Sequence, residues 1–105
     1  MMEALPLRLS PDKVRLRLAG ATEPETLQGD YEILTLAGTL AADGAHLHVS
    51  VADSQGRVTG GHVAHGCTIR TTAEVLVLML PEWSFTRELD PATGYAELVV
   101  AAAKG

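Results

Sequence analysis

Cysteine occurs once in this sequence, at Cys67, so no intrachain disulfide framework can staple the fold. The lone thiol lies beside an apolar stretch with no assignable activating base. It therefore reads as a structural side chain rather than a nucleophile, and it suits a reducing compartment. Aromatic residues make up only 4% of a chain that is 47% hydrophobic, so a core has to be assembled from Val, Leu, Ile and Ala. Basic residues are scarce as well. Eight Lys and Arg against thirteen Asp and Glu give a formal net charge of -5, and protonating all four histidines would bring it only to -1. Duplex DNA binders draw affinity from the counterions that concentrated Lys and Arg displace, so this balance speaks against direct DNA contact. No nucleic-acid-binding residues are assigned, and no Arg-Gly-Arg core of an AT-hook is present. The basic residues that do cluster, Arg8, Lys13, Arg15 and Arg17, fit either a solvated strand face or a phosphate-contacting edge. The continuous apolar run Val75 to Leu80 is far too short to cross a bilayer, and no leader-like stretch is visible. The expectation is a cytoplasmic protein with no membrane partner.

What is present is a succession of strand-like segments. The length of 105 residues suits one domain, residues 1–105. Leu5 to Leu9 alternates, and Ser10-Pro11-Asp12-Lys13 reads as a turn. Val14 to Leu18 alternates Val-Arg-Leu-Arg-Leu, which sets Val14, Leu16 and Leu18 inward. Ala19 to Gly29 reads as a loop with at most one helical turn. Tyr31 to Leu40 and Ala45 to Ala52 are strands about an Asp43-Gly44 turn, and Arg57 to His65 is the next strand. Thr68 to Leu80 ends in the apolar run, which predicts a central strand covered on both faces. Trp83 to Leu89 and Tyr95 to Val100 flank the turn Asp90-Pro91-Ala92-Thr93-Gly94. No segment carries a convincing amphipathic helical period. The fold class expected is mainly β or α+β, built on an antiparallel sheet.

Chemistry concentrates in His46-Leu47-His48 and in Gly60-Gly61-His62. Histidines at i and i+2 share one face of a strand. The link Asp53-Ser54-Gln55-Gly56-Arg57 fits a three-residue hairpin loop whose last residue is left-handed, a conformation Gly tolerates. With Ser54, Gln55 and Gly56 as the loop, Asp53 faces Arg57, Ser50 faces Gly60, His48 faces His62, and Leu47 faces Val63 on the other side. A two-residue loop would instead put His62 on the Leu47 face, and Gly60-Gly61 is itself a candidate bulge. Three neutral imidazoles with an open fourth position form a zinc arrangement, so His46, His48 and His62 are the candidate metal ligands. An H-x-H pair is otherwise simply a half-exposed polar strand face. Ser50 stands beside the open space left by Gly60. Glu32, Glu74 and Asp53 are candidate partners for the imidazoles or for proton transfer, with an exposed carboxylate as the plainer reading of each. His65 falls on the opposite face and is counted as a non-ligand.

Several ordered motifs carry a family resemblance. Tyr31-Glu32-Ile33-Leu34-Thr35-Leu36-Ala37-Gly38-Thr39-Leu40, Asp43-Gly44-Ala45-His46-Leu47-His48-Val49-Ser50, Gly56-Arg57-Val58-Thr59-Gly60-Gly61-His62 and Thr71-Thr72-Ala73-Glu74-Val75 resemble the PPC (plants and prokaryotes conserved) domain. The likeness runs from about Val14 to Val100. It implies a free-standing prokaryotic type of protein, a homotrimer, and a metal site, usually read as zinc, at His46, His48 and His62. Prokaryotic members are commonly labelled predicted DNA-binding proteins, and in plant members a neighbouring AT-hook binds the DNA while this domain mediates assembly. The fold is also similar to that of acetolactate decarboxylase, a zinc lyase with three histidines, which is analogy of fold alone. The sequence departs from the family between Leu7-Arg8-Leu9-Ser10-Pro11 and Val14-Arg15-Leu16-Arg17-Leu18, where the usual helical element is missing. Loss of that helix should leave apolar sheet surface for a partner to cover.

Four readings remain open on these grounds: an oligomeric zinc-binding domain with room for water or a small ligand, a DNA-associated or transcription-regulatory assembly module, a zinc lyase-like enzyme, and a structural relic that lost activity along with its N-terminal helix. Catalytic residues and substrate are not assigned.

Overall fold

The computed structural model describes residues 2–7, 14–69 and 72–104, the first segment as backbone. Among them lie nine strands and no helix: β1 Met2–Leu7, β2 Val14–Arg17, β3 Glu25–Leu27, β4 Glu32–Ala41, β5 Gly44–Ala52, β6 Val58–Val63, β7 Ala73–Leu78, β8 Trp83–Leu89 and β9 Ala96–Ala102. The fold is mainly β and antiparallel. Five strands form the principal sheet in the order β3-β2-β6-β5-β4, β8 and β9 form a hairpin, and β1 pairs with β7. The expected turn at Ser10 to Lys13, together with Arg8 and Lys13, lies outside the described residues.

Alternation in β2 and β5 makes one face of the principal sheet apolar. Leu16 and Val51 are fully buried and Val49 nearly so, with Val14, Leu18, Leu27, Tyr31 and Val63 packed against them. Inward Val14, Leu16 and Leu18 match the sequence pattern. Full burial of such a side chain stabilises by roughly 1.5–3 kcal/mol, so these three residues make a small core. The apolar face does not end there. On β4, Ile33 pairs with Val51, Leu36 with Val49 and Leu40 with Ala45, and all three remain exposed. Open apolar sheet surface is what the missing helical element leads one to expect.

Several expectations need correction. The loop at Ala19 to Gly29 contains β3, whose Leu27 packs across Val14, so a short pairing edge forms there. The strand sought in Thr68 to Leu80 is only Ala73–Leu78, and it is not central: among the described residues it pairs with β1 alone, and Leu76 and Leu78 are 69% and 61% exposed. An unbroken apolar run signals two covered faces only when a layer exists on each side, and among the described residues none covers Leu76 and Leu78. A register shift between Ile33 and Thr35 puts a bulge in β4. The Gly60-Gly61 pair, by contrast, continues the β5–β6 ladder without one.

Candidate metal centre

The β5–β6 hairpin fixes the site. Gly56 has φ of 80°, the left-handed conformation the loop requires. Asp53 organises the turn: Oδ1 accepts hydrogen bonds from the backbone N–H of Gln55 and of Arg57, both at 2.9 Å, and Oδ2 pairs with Arg57 Nε at 3.0 Å. These bonds, led by the Arg57 N–H, hold its carboxyl below the ordinary range. Asp53 thus serves the turn rather than the imidazoles. From this turn the ladder runs Ala52 to Val58, Ser50 to Gly60 and His48 to His62, the register counted from the sequence.

His46 and His48 therefore project on the same face as His62, opposite to the core residues Val49 and Val51. Ring centroids lie 5.0 Å apart for His46–His48, 4.5 Å for His46–His62 and 5.2 Å for His48–His62. One nitrogen from each ring can be chosen so that all three lie within 4.8 Å of one another. Four-coordinate zinc at about 2.0–2.1 Å from each nitrogen needs them roughly 3.3 Å apart. Three imidazole nitrogens suit zinc and its neighbours among the divalent transition metals, and they leave a coordination position open.

The surroundings come from neighbouring strands. Across from His48 stands Ala37 and across from His46 stands Thr39. Ala37 and Gly60 give the face a low floor around the rings. At Gly38 the strands come so close that a Cβ would fall on the His46 carbonyl oxygen and within 2.8 Å of Leu47 Cα. Glycine is needed there for β4 to hold β5 at the histidines.

Two guanidinium groups flank the rings. Arg17 on β2 is the cross-strand partner of His62. Arg87 on β8 donates from Nη2 to Thr39 Oγ1 at 2.8 Å, and its backbone N–H donates to Asp43 Oδ2 at 3.1 Å. Burial lowers the pKa of His46, aided by Arg87 and His48 and opposed by Glu97. Burial likewise lowers His62, aided by His46 and Arg17. Both effects favour the neutral, metal-ligating form.

The other candidates are dispersed. Ser50 shares the histidine face, hydrogen-bonded to Thr35 at 2.6 Å between side-chain oxygens. Glu32 pairs with Ala52, four residues beyond His48 along the strand. Glu74 lies on β7, opposite Pro6 in a different sheet. His65 is exposed and stands apart from the three-histidine group, its carbonyl accepting from Arg15 Nη1 at 3.1 Å. Cys67 is half-buried and clamps the Arg15 backbone: Sγ accepts from its N–H and donates to its carbonyl, both at 3.2 Å. That is a structural role. Arg17 was visible in the sequence only as half of an alternating pair, and its neighbour across the strands depends on a long-range register. Nothing local marks Arg87.

This hairpin and its histidines can be set beside known proteins. The sequence model described as the Plants and Prokaryotes Conserved (PCC) domain matches residues 10–81. This chain belongs to the PCC domain family. Two curated relatives from Synechococcus strains, each named Bifunctional protein GlmU, are 52% identical over 89 residues and 47% identical over 96. Those matches cover 85% and 91% of this PCC chain but only 14% and 15% of the relatives, which are far longer proteins. Among solved structures, a hypothetical protein of Salmonella enterica superposes with a TM-score of 0.91 at 31% identity, covering 97% of this chain and 94% of its own. A Bacteroides thetaiotaomicron protein described as a DNA-binding candidate superposes with a TM-score of 0.71 at 20% identity, over 93% of this chain and 69% of its own, a likeness of fold. The PCC match ends at Pro81, so the β8–β9 hairpin and Arg87 lie beyond it.

Proposed function

We propose that this chain is a metal-binding PCC domain that works as a homo-oligomer, a trimer by family resemblance, and that zinc is the metal. The convergence of His46, His48 and His62 carries the reading, because three neutral imidazoles on a low floor satisfy zinc and leave room for water or a small ligand. Bound there, zinc would act as a Lewis acid toward such a ligand. Oligomerisation is supported by the exposed apolar side chains of β4 and β7 beside a core of three buried residues. Elemental analysis and native mass of the same untagged sample test both parts. The account expects one zinc per chain in a trimer, lost in His48→Ala and His62→Ala. Metal-free protein whose stability ignores chelator contradicts it.

A DNA-associated assembly role is the second reading, favoured by the description of the Bacteroides neighbour. The net charge of -5 directs such a role toward protein partners rather than direct phosphate contact. DNA binding at low salt by the purified protein would support contact; no binding there would exclude it.

A further inference from the structure

The histidine face is ordered as rows across the strands. One row runs Arg17, His62, His48, Ala37, and the row beside it includes His46 and Thr39. Arg17 closes the first row on the β2 side. Arg87 closes the second on the β4 side, held to Thr39 Oγ1 at 2.8 Å. The two cations thus stand on opposite sides of the same three imidazoles, over a floor of Ala37 and Gly60. Among the described residues Arg17 has no side-chain hydrogen bond or ion pair, and Arg87 bonds a neutral hydroxyl rather than a carboxylate. Arg15 differs, its guanidinium being occupied by Thr26 Oγ1 at 3.2 Å and the His65 carbonyl.

Structural ion pairing is the ordinary use of an arginine near a site, and here it is not made. Among the described residues Glu97 acts on His46, and its Oε1 accepts from Thr93 Oγ1 at 3.3 Å.

We propose that Arg17 and Arg87 make the open position of the three-histidine site a receptor for a small dicarboxylate, one carboxylate directed to the metal and the rest of the charge to the guanidinium groups. The inference deepens the metal reading and rests on it. Zinc with three neutral histidines keeps its full double positive charge, and two flanking arginines add to it, so an anion is favoured over water or a neutral ligand. Guanidinium groups bind carboxylate through charge-assisted, often bidentate hydrogen bonds, and a carboxylate oxygen is also a good zinc ligand. Two cations on opposite sides favour a dianion over a monoanion.

The test uses the full chain loaded with cobalt(II), whose visible absorption reports ligands entering the open position. Malonate is titrated into wild type, Arg17→Gln, Arg87→Gln and Arg87→Lys, with acetate and neutral imidazole as comparators. Metal content and thermal unfolding are measured on the same samples. The expected result is that malonate binds wild type more tightly than acetate and loses about tenfold or more in affinity in each Gln variant. Imidazole should bind all four proteins alike, and Arg87→Lys, which keeps a cation on the Thr39 side, should recover part of the malonate affinity. Unchanged malonate affinity in metal-loaded, folded Arg17→Gln and Arg87→Gln overturns the inference while leaving the metal reading intact. So does a metal-loaded wild type that ignores malonate. A wild type that takes up neither cobalt nor zinc overturns the metal reading itself, and the inference with it.

Discussion

His48 and His62 are cross-strand partners on β5 and β6, their rings 5.2 Å apart and nearly perpendicular at 89°. This pairing is set by the turn that precedes it, because a hairpin shifted by one residue would send His62 to the core face. The turn is therefore the first place to perturb. Gly56→Ala places a side chain at φ of 80° and should destabilise by about 1–2 kcal/mol. Asp53→Ala removes the carboxylate from two N–H donors and the Arg57 pair. The double variant should lower the denaturant midpoint and weaken zinc binding together, whereas either substitution alone should spare the metal. Titration with a chromophoric chelator reads the affinity.

Gly38 supports the site from the other side. Its Cα stands where a Cβ would meet the His46 carbonyl and Leu47. Gly38→Ala should push β4 away from β5 and displace His46, weakening zinc binding by about tenfold or more, since strained close approach costs roughly 1–3 kcal/mol. Alanine at exposed Gly94, in the β8–β9 turn where a Cβ would meet nothing within 4 Å, should leave the affinity unchanged although it too has positive φ.

Leu16 is fully buried at the centre of the core cluster. Leu16→Ala should cost about 2–5 kcal/mol, a large share of the roughly 5–15 kcal/mol typical of a domain. Urea unfolding followed at two protein concentrations checks this. The midpoint should also rise with concentration, as oligomers linked to folding require.

The pH dependence follows from His46 and His62, both lowered from 6.5 chiefly by burial. In the unfolded chain they titrate near 6.5. Above that value both states are neutral and stability is full. As pH falls, the unfolded chain takes up protons first, so stability declines and is lost through the folded pKa values. Metal-free protein should therefore show a falling urea midpoint between about pH 7 and pH 5. His46→Asn/His62→Asn protein should show a flatter profile over the same interval.

Much of this site was legible in the sequence because it is local. The i, i+2 spacing set His46 and His48 on one face, and the Asp53 and Gly56 turn chemistry set the register of His62. The inward face of β2 was legible for the same reason, from its strict alternation. What was not legible depends on distant pairing. Ala73–Leu78 reads as a buried central strand because its side chains are apolar, yet strand neighbours are chosen by the whole chain, and among the described residues β1 is its sole partner. The short β3 lies in a segment whose Gly, Pro and polar content matches a loop, and only its place beside Val14 makes it a strand. Arg17 beside His62, and Arg87 reaching Thr39, join residues about 45 positions apart along the chain, where periodicity carries no signal.

The central claim is that His46, His48 and His62 together hold one metal ion through imidazole nitrogen. Zinc X-ray absorption at the K edge of the purified, chelator-washed protein addresses it directly. The account predicts about one zinc per chain with three imidazole shells at about 2.0–2.1 Å, one further oxygen ligand and no sulfur. Zinc bound through sulfur, which would implicate Cys67, or zinc with fewer than three imidazoles would contradict it.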